Sequence, residues 1–442
     1  MATPFVVFIV SLAIFAVNIN SFPLRNWDEA WYAEIIKNMA SGQYSLLVPF
    51  WNGQYYFDKP PLYFWLSLPF VEFFGIGEWQ TRIVSVLAAA TAALLVFLIG
   101  KKLFDSTTGI ISSIIFVTLG QVYFRFSHGN LDALLVALFL ATFYSFLFSD
   151  KKITASLCGI FLGLGFLVKG WTLGLLPLFL ILVSSLVVEK KLPRNLGIIF
   201  GTCLVTAGWW YLLGNARFGV QFVHWYLFII AEGSLNISLF SLSLEPLRFL
   251  VRDLGIWLLP VLVYLIKVGT KDLVKQKTLV TFGIVLLSFL LILGFTSEKA
   301  DWHNLLVYPF VALIAGYMTQ KLYKIYSGNF LFVIVFFILL QIFIAYKIEN
   351  LYPDRSRVGA LLGQKAEEII PKGATVVLND RDFTSFLYYS DIGQILVIWP
   401  EKIEAREWWF VKKEALPALV EKHKTIWLVS PNPERLDLIE KL

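Results

Sequence analysis

Two adjacent carboxylates, Asp28 and Glu29, stand just after the first apolar stretch of the chain, in NWDEAWYAEIIKNMA (26–40). An acidic–basic pair, Asp58 and Lys59, comes directly before Pro60 and Pro61 in YYFDKPPLYFW (55–65). RFSHGNLDALL (125–135) carries Arg125, His128 and Asp132, and FLVKGW (166–171) carries Lys169. FTSEKADWHNLLVYP (295–309) carries Glu298, Lys299, Asp301 and His303. A held carboxylate can take a proton from a poor nucleophile, and fixed ammonium or guanidinium groups can hold an anion. Each motif has a plainer reading beside that one. Asn26 with Glu29 fits a helix N-cap with a reciprocal acid, Asp28 fits a favourable first-turn charge, and Lys59 fits a side chain snorkelling at an interface.

The elements that must position these residues are set by composition. The chain has 442 residues, 58% hydrophobic, 17% aromatic and 15% charged, with mean hydropathy +0.71. A soluble domain is about a quarter charged, so this chain cannot cover a water-facing surface and its solvent is a bilayer. Apolar runs predict about eleven spans, at 4–22, 80–100, 107–124, 131–149, 153–168, 171–188, 195–213, 253–267, 278–295, 303–320 and 330–347. The net charge of +6 resides largely in short Lys-rich loops, which reads as the positive-inside pattern and not as a nucleic-acid surface. That pattern puts the N-terminus in the cytoplasm, with 4–22 a retained span, and the long loops 23–79 and 214–252 and the tail on the other face. All five charged motifs then fall on that outer face. Charges at membrane depth are costly and usually meet a cavity or partner, so five together suggest a shared polar cleft.

In the first outer loop, Trp27, Trp31, Ile35 and Met39 recur at i+4, predicting an amphipathic helix along the membrane surface. PPLYFWLSLPFVEFFGIG (60–77) reads as a second interfacial helix. After Asn350, GATVVLND (373–380), QILVIWP (394–400) and KTIWLVS (424–430) read as buried strands between helical patterns. The expected fold is mostly α: a polytopic membrane domain over 1–347 and a small extracytoplasmic α/β domain over 348–442. Cys158 and Cys203 lie inside apolar runs and make no disulfide framework, and the four histidines form no metal motif. No cofactor is required by the sequence; a divalent metal at Glu232, Asp58 or the histidines is left open.

An ordered set of segments resembles the C-type integral-membrane glycosyltransferases, in the branch containing lipid A aminoarabinose transferases and relatives of protein O-mannosyltransferases. The segments are DEAWYAEIIKNMASGQY (28–44), WNGQYYFDKPPLYFWL (51–66), EWQTRIVSVLAA (78–89), LFDSTTGIISSIIF (103–116), GNLDALL (129–135), GLGFLVKG (163–170) and HNLLVYPFVAL (303–313). The resemblance implies transfer of a sugar from a polyprenyl phosphate to a hydroxyl on a lipid, glycan or protein. It implies Asp28 as general base, Lys59 on the lipid phosphate and Asp132 in the active-site cavity. The aminoarabinose branch usually has Arg where this chain has Trp31, Glu where it has Asp58, and Thr where it has Leu131.

The constellation suits that reaction on chemical grounds too. Direct attack needs one base and no covalent intermediate, and a departing phosphate needs cations. Lys59 comes first among these, then Lys169, with Arg82, Arg125 and Lys299 also available. Arg82 and Arg125 each have a structural reading as well. Glu29, Asp58, Tyr32, Tyr56 and His303 complete the candidate contacts, the aromatics reading first as an interfacial belt and His303 equally as a helix cap. The partners expected are the lipid-linked donor, the acceptor and membrane lipids, with no nucleic acid. Two other functions compete: a transporter or flippase for a polyprenyl-linked sugar, and a receptor or scaffold on a polytopic anchor.

Overall fold

In a computed structural model of the chain, the residues described are 2–226, 242–296, 300–326, 356–379, 383–398, 409–423, 426–430 and 439–441, with 335–336, 339–340 and 343. Packing divides the chain into two compact units. The first draws on Met1–Val17, Phe57–Tyr63 and Val84–Leu351, the second on Asn18–Tyr56, Phe64–Ile83 and Tyr352–Leu442. The helices begin with α1 (Ala2–Ala16), α2 (Asp28–Ala40), α3 (Leu62–Phe74), α4 (Glu78–Leu103), α5 (Ser106–Thr118), α6 (Gly120–Phe126), α7 (Leu131–Phe146) and α8 (Lys152–Lys169). Leu176–Ser184, Leu196–Phe218, Glu245–Leu254, Leu258–Lys267, Lys277–Phe295 and Tyr308–Tyr326 follow.

A mostly helical membrane protein is what the first unit shows. Among the described residues five helices are long and apolar enough to cross a bilayer, or six if α5 and α6 count as one bent span. The expected span 330–347 falls mostly outside the described residues. The expected span 107–124 is not one straight helix: α5 and α6 meet at a 67° bend. The cause is local. The Thr118 hydroxyl donates back to the carbonyls of Ile114 (2.9 Å) and Ile115 (3.0 Å) and accepts from the Trp257 indole (2.9 Å). Leu119 then leaves the helix in an extended conformation (φ −61°, ψ 130°). Such back-bonding competes with the helical ladder and bends it.

Lipid tails give no hydrophobic drive for helices to associate, so close packing has to do it. In α8, Gly159 and Gly163 sit four residues apart against Leu196–Phe218. A Cβ at Gly159 would stand 2.2 Å from the Ile199 carbonyl oxygen, and one at Gly163 2.8 Å from that of Cys203. Only glycine permits this approach.

The second unit is built on a five-stranded sheet of order β5-β4-β3-β6-β7. Its strands are β3 (Thr375–Leu378), β4 (Ile395–Ile398), β5 (Phe410–Val411), β6 (Ile426–Val429) and β7 (Ile439–Lys441). β3 pairs in parallel with β4 and β6, β4 pairs in parallel with β5, and β7 closes one edge antiparallel to β6. Buried Val376, Val377 and Leu378 make β3 the apolar centre that a two-sided parallel strand requires. Earlier in the chain, β1 (Phe50–Trp51) and β2 (Gln54–Tyr55) form a hairpin. Asn52 (φ 48°) and Gly53 (φ 85°) turn it, the Asn-Gly pair that a two-residue hairpin favours. The Asn52 amide then exchanges two bonds with Ile395, accepting from its N–H at 2.7 Å and donating to its carbonyl at 3.0 Å.

α2 departs from the expected surface helix. Glu29, Ala30, Tyr32, Ala33, Glu34, Ile35, Ile36 and Met39 are all buried, so it is enclosed on more than one face, while Trp27 is exposed. The expected Asn26 cap is also absent. Trp27 occupies the cap position with no side-chain cap bond, and the Asn26 side-chain oxygen Oδ1 accepts instead from the Ser385 N–H at 3.0 Å.

Glu34 lies buried on this helix. Loss of hydration raises its carboxyl from an ordinary 4.5 to about 7, against the opposing pull of Lys37 at 3.5 Å. Asp391, 3.0 Å from the same Lys37, pushes it further up, and the Asn38 amide lowers it. A carboxyl whose folded value is raised contributes stability that is complete below the unfolded value and is lost as pH rises through the folded one. Stability should therefore decline from about pH 4.5 to about pH 7 through this group. Glu34→Gln removes that slope. Thermal melts should show the variant more stable than wild type at pH 8, by up to about 3 kcal/mol, and level with it near pH 4.5.

Candidate active site

In the first unit, buried Asp132 is the centre of a charge cluster. Asn130 caps α7, its side-chain oxygen accepting from the Asp132 N–H at 2.9 Å, so the carboxylate sits in the first turn where the helix dipole favours it. Arg125, in the last turn of α6, donates to Asp132 Oδ2 at 3.1 Å, and Lys169, the last residue of α8, donates to Oδ1. The bend that ends α5 and restarts α6 is what brings a short helix, and Arg125 with it, to this place. Gly170 (φ 86°) ends α8 immediately after Lys169, a conformation that an L side chain rarely adopts. Beneath the cluster the Ser85 hydroxyl bridges the Asn130 carbonyl (2.7 Å) and the Tyr63 hydroxyl (3.2 Å). Two cations on one carboxylate leave a net positive charge, the arrangement an anionic oxygen needs.

Lys59 lies in the same unit, 2.6 Å from Asp58, and its backbone carbonyl accepts from the buried Tyr226 hydroxyl at 3.0 Å. The Arg125 guanidinium lies over the Trp302 ring at 5.0 Å, which ties it to the turn Asp301–Leu306 carrying His303. Lys299 and Glu232 lie outside the described residues.

The second unit holds Asp28 at the start of α2, half-buried, with the Tyr32 hydroxyl 3.4 Å from its Oδ1. Its neighbour Glu29 is differently placed. Arg82 clamps it with two bonds, at 2.7 and 3.1 Å, and both side chains are buried. The same guanidinium donates to the carbonyls of Ile19 and Phe22 at 3.0 Å and of Pro23 at 3.1 Å. All five N–H donors of an arginine are thereby committed within the protein. Of the two readings of Arg82 the structure favours the structural one: it anchors the segment that leads into Asp28. Glu29 is its counter-ion, also accepting the Arg25 N–H at 2.7 Å. Tyr56 lies in an aromatic cluster of the same unit, 5.3 Å from Trp31, which stacks on Trp51 at 4.0 Å.

Residues 58–211, which include Lys59, Arg125, Asp132 and Lys169, match the family of dolichyl-phosphate-mannose-protein mannosyltransferases. The whole chain superposes on the crystal structure of ArnT from Cupriavidus metallidurans bound to undecaprenyl phosphate, with a TM-score of 0.75, 16% identity, and 98% of this chain and 94% of that chain covered. The chain has the C-type glycosyltransferase fold. It resembles the aminoarabinose-transferase branch of that fold: over 164 residues it is 31% identical to the undecaprenyl phosphate-alpha-4-amino-4-deoxy-L-arabinose arabinosyl transferase of Edwardsiella ictaluri, covering 35% of this chain and 29% of that relative. It is also 28% identical over 346 residues to an uncharacterized protein of Aquifex aeolicus, covering 75% of this chain and 78% of that one.

Within the C-type fold the three departures from the branch have visible surroundings. Trp31 packs among Trp51, Tyr56, Phe383 and Trp409, an apolar neighbourhood. Asp58 pairs with Lys59, and Leu131 is buried at the start of α7. One further network escaped sequence reasoning. Asp253 is buried, accepts from Tyr308 and is gripped by Arg252 at 2.8 and 3.2 Å. Arg252 also reaches Asp301 (3.0 Å), which accepts from Gln121 at 2.8 Å. The available signal was an Arg-Asp pair at the edge of an apolar run.

Proposed function

We propose that this chain transfers a sugar from a polyprenyl-phosphate donor to an acceptor hydroxyl of a lipid, glycan or protein on the extracytoplasmic face of a prokaryotic plasma membrane. Asp28 takes the hydroxyl proton while the acceptor oxygen attacks the anomeric carbon. The bond to the phosphate oxygen breaks, and the lipid phosphate leaves as an anion. Lys59 and Lys169 hold that anion, with Arg125 and Asp132 fixing Lys169 and tuning the local charge. Tyr32 orients the base, and Tyr56 and His303 contact substrate. The proposal includes the eleven-span topology, a cytoplasmic N-terminus, and an extracytoplasmic α/β domain over 348–442.

One observation supports this reading above the rest: the doubly cationic grip on buried Asp132, within a segment that matches a family of lipid-phosphate-sugar transferases. Lys169→Met tests it. Losing one charge-assisted contact to phosphate should weaken binding of the donor, and of polyprenyl phosphate as product inhibitor, by about 10- to 100-fold. Binding measured in detergent reads this directly. Unchanged affinity for both lipids would remove Lys169 from the phosphate site.

A further inference from the structure

The backbone immediately before Asp28 is held in a conformation that few residues adopt. Trp27 has φ 68° and ψ −127°. For a bulky side chain a positive φ is a steric outlier that persists only where surrounding contacts over-determine it. Those contacts come from the C-terminal segment. The Trp27 N–H donates to the Thr384 hydroxyl at 2.5 Å, and that hydroxyl lies 3.4 Å from the Trp27 carbonyl oxygen. One residue earlier, the Asn26 N–H donates to the Ser356 hydroxyl at 2.8 Å and its side-chain oxygen accepts from the Ser385 N–H at 3.0 Å. Thr384, Ser385 and Ser356 are all buried. The Trp27 carbonyl in turn accepts the first helical bond of α2, from Trp31 at 2.9 Å. The Thr384 hydroxyl thus meets the peptide groups on both sides of the strained residue, the second of which leads directly into Asp28.

We propose that Thr384 is a positioning residue for Asp28: through Trp27 it sets the direction in which the base carboxylate leaves the start of α2, with Ser356 and Ser385 holding the preceding residue. This rests on the reading of Asp28 as the base. The C-terminal α/β segment is then part of the catalytic apparatus and not an accessory module. Without the Thr384 hydroxyl, Trp27 relaxes to a negative φ and rotates Asp28 away from the acceptor.

The test uses the full-length protein in detergent or liposomes. Thr384→Val keeps the shape and removes the hydroxyl, and Thr384→Ser restores it. Misplacing a reacting group by about an ångström costs up to about 100-fold. The Val variant should lose about 10- to 100-fold in kcat with donor KM unchanged, and the Ser variant should recover most of the rate. A purely structural role would instead lower the melting temperature at unaltered kcat per folded molecule. If the Val variant does not purify, Ser356→Ala carries the test and should lower kcat alone. Full kcat in the Val variant, or in Ser356→Ala where that substitutes for it, beside an inactive Asp28→Asn overturns this proposal and leaves the base in place. An active Asp28→Asn overturns both.

Discussion

Replacing Asp28 with Asn is expected to lower turnover by about 10²–10⁴-fold, the usual contribution of a positioned general base. Binding of donor and the melting temperature should stay near wild-type values. The substitution is almost isosteric, and the hydrogen bond from the Tyr32 hydroxyl can be kept by an amide oxygen. A sugar acceptor hydroxyl is not ionised at neutral pH, so the amide leaves the nucleophile with its proton in place. Because the loss falls on the chemical step, it appears in kcat and not in donor affinity. Single-turnover transfer from a lipid-linked sugar, followed by mass, separates these quantities. Loss of donor binding with the chemical step intact would make Asp28 a binding residue.

The second large effect concerns stability. Arg82→Met leaves the Glu29 carboxylate buried without its counter-ion and strips donors from three backbone carbonyls, those of Ile19, Phe22 and Pro23. Breaking one side of a buried pair costs about 3–5 kcal/mol, a large part of the stability of most domains. The variant should accumulate poorly in membranes and melt well below wild type. Removing both charges, as Arg82→Met with Glu29→Gln, should recover part of that loss, because a buried pair contributes little beyond its own desolvation. An Arg82→Met protein of normal stability and raised donor KM would return Arg82 to the substrate.

The sites of charge were legible in the sequence because a charge in an apolar run stands out. Asp132, Arg125 and Lys169 were singled out that way, and the fold brings all three together. Their choice of partner was less legible. Arg82 and Glu29 are 53 positions apart, and nothing local distinguishes an arginine with every donor committed from one with donors to spare. Asn26 had the local pattern of a helix cap, yet a contact 359 positions away claimed its side chain. Tertiary contacts override a capping preference of about 1 kcal/mol. The break between α5 and α6 was hidden for a similar reason: TLGQ carries no proline, and the bend arises from a threonine hydroxyl bonding back along its own helix. The strained Trp27 was invisible, since positive φ is read from sequence only where glycine or asparagine stands.

In the proposed reaction this chain breaks a bond between a sugar and a lipid phosphate. The most direct measurement reconstitutes the protein in liposomes with a panel of polyprenyl-phosphate sugars and acceptor lipids, and counts lipid products by mass. Free polyprenyl phosphate should appear mole for mole with glycosylated acceptor, and neither should form with Asp28→Asn. Intact donor crossing between leaflets with no polyprenyl phosphate released would instead make the chain a transporter.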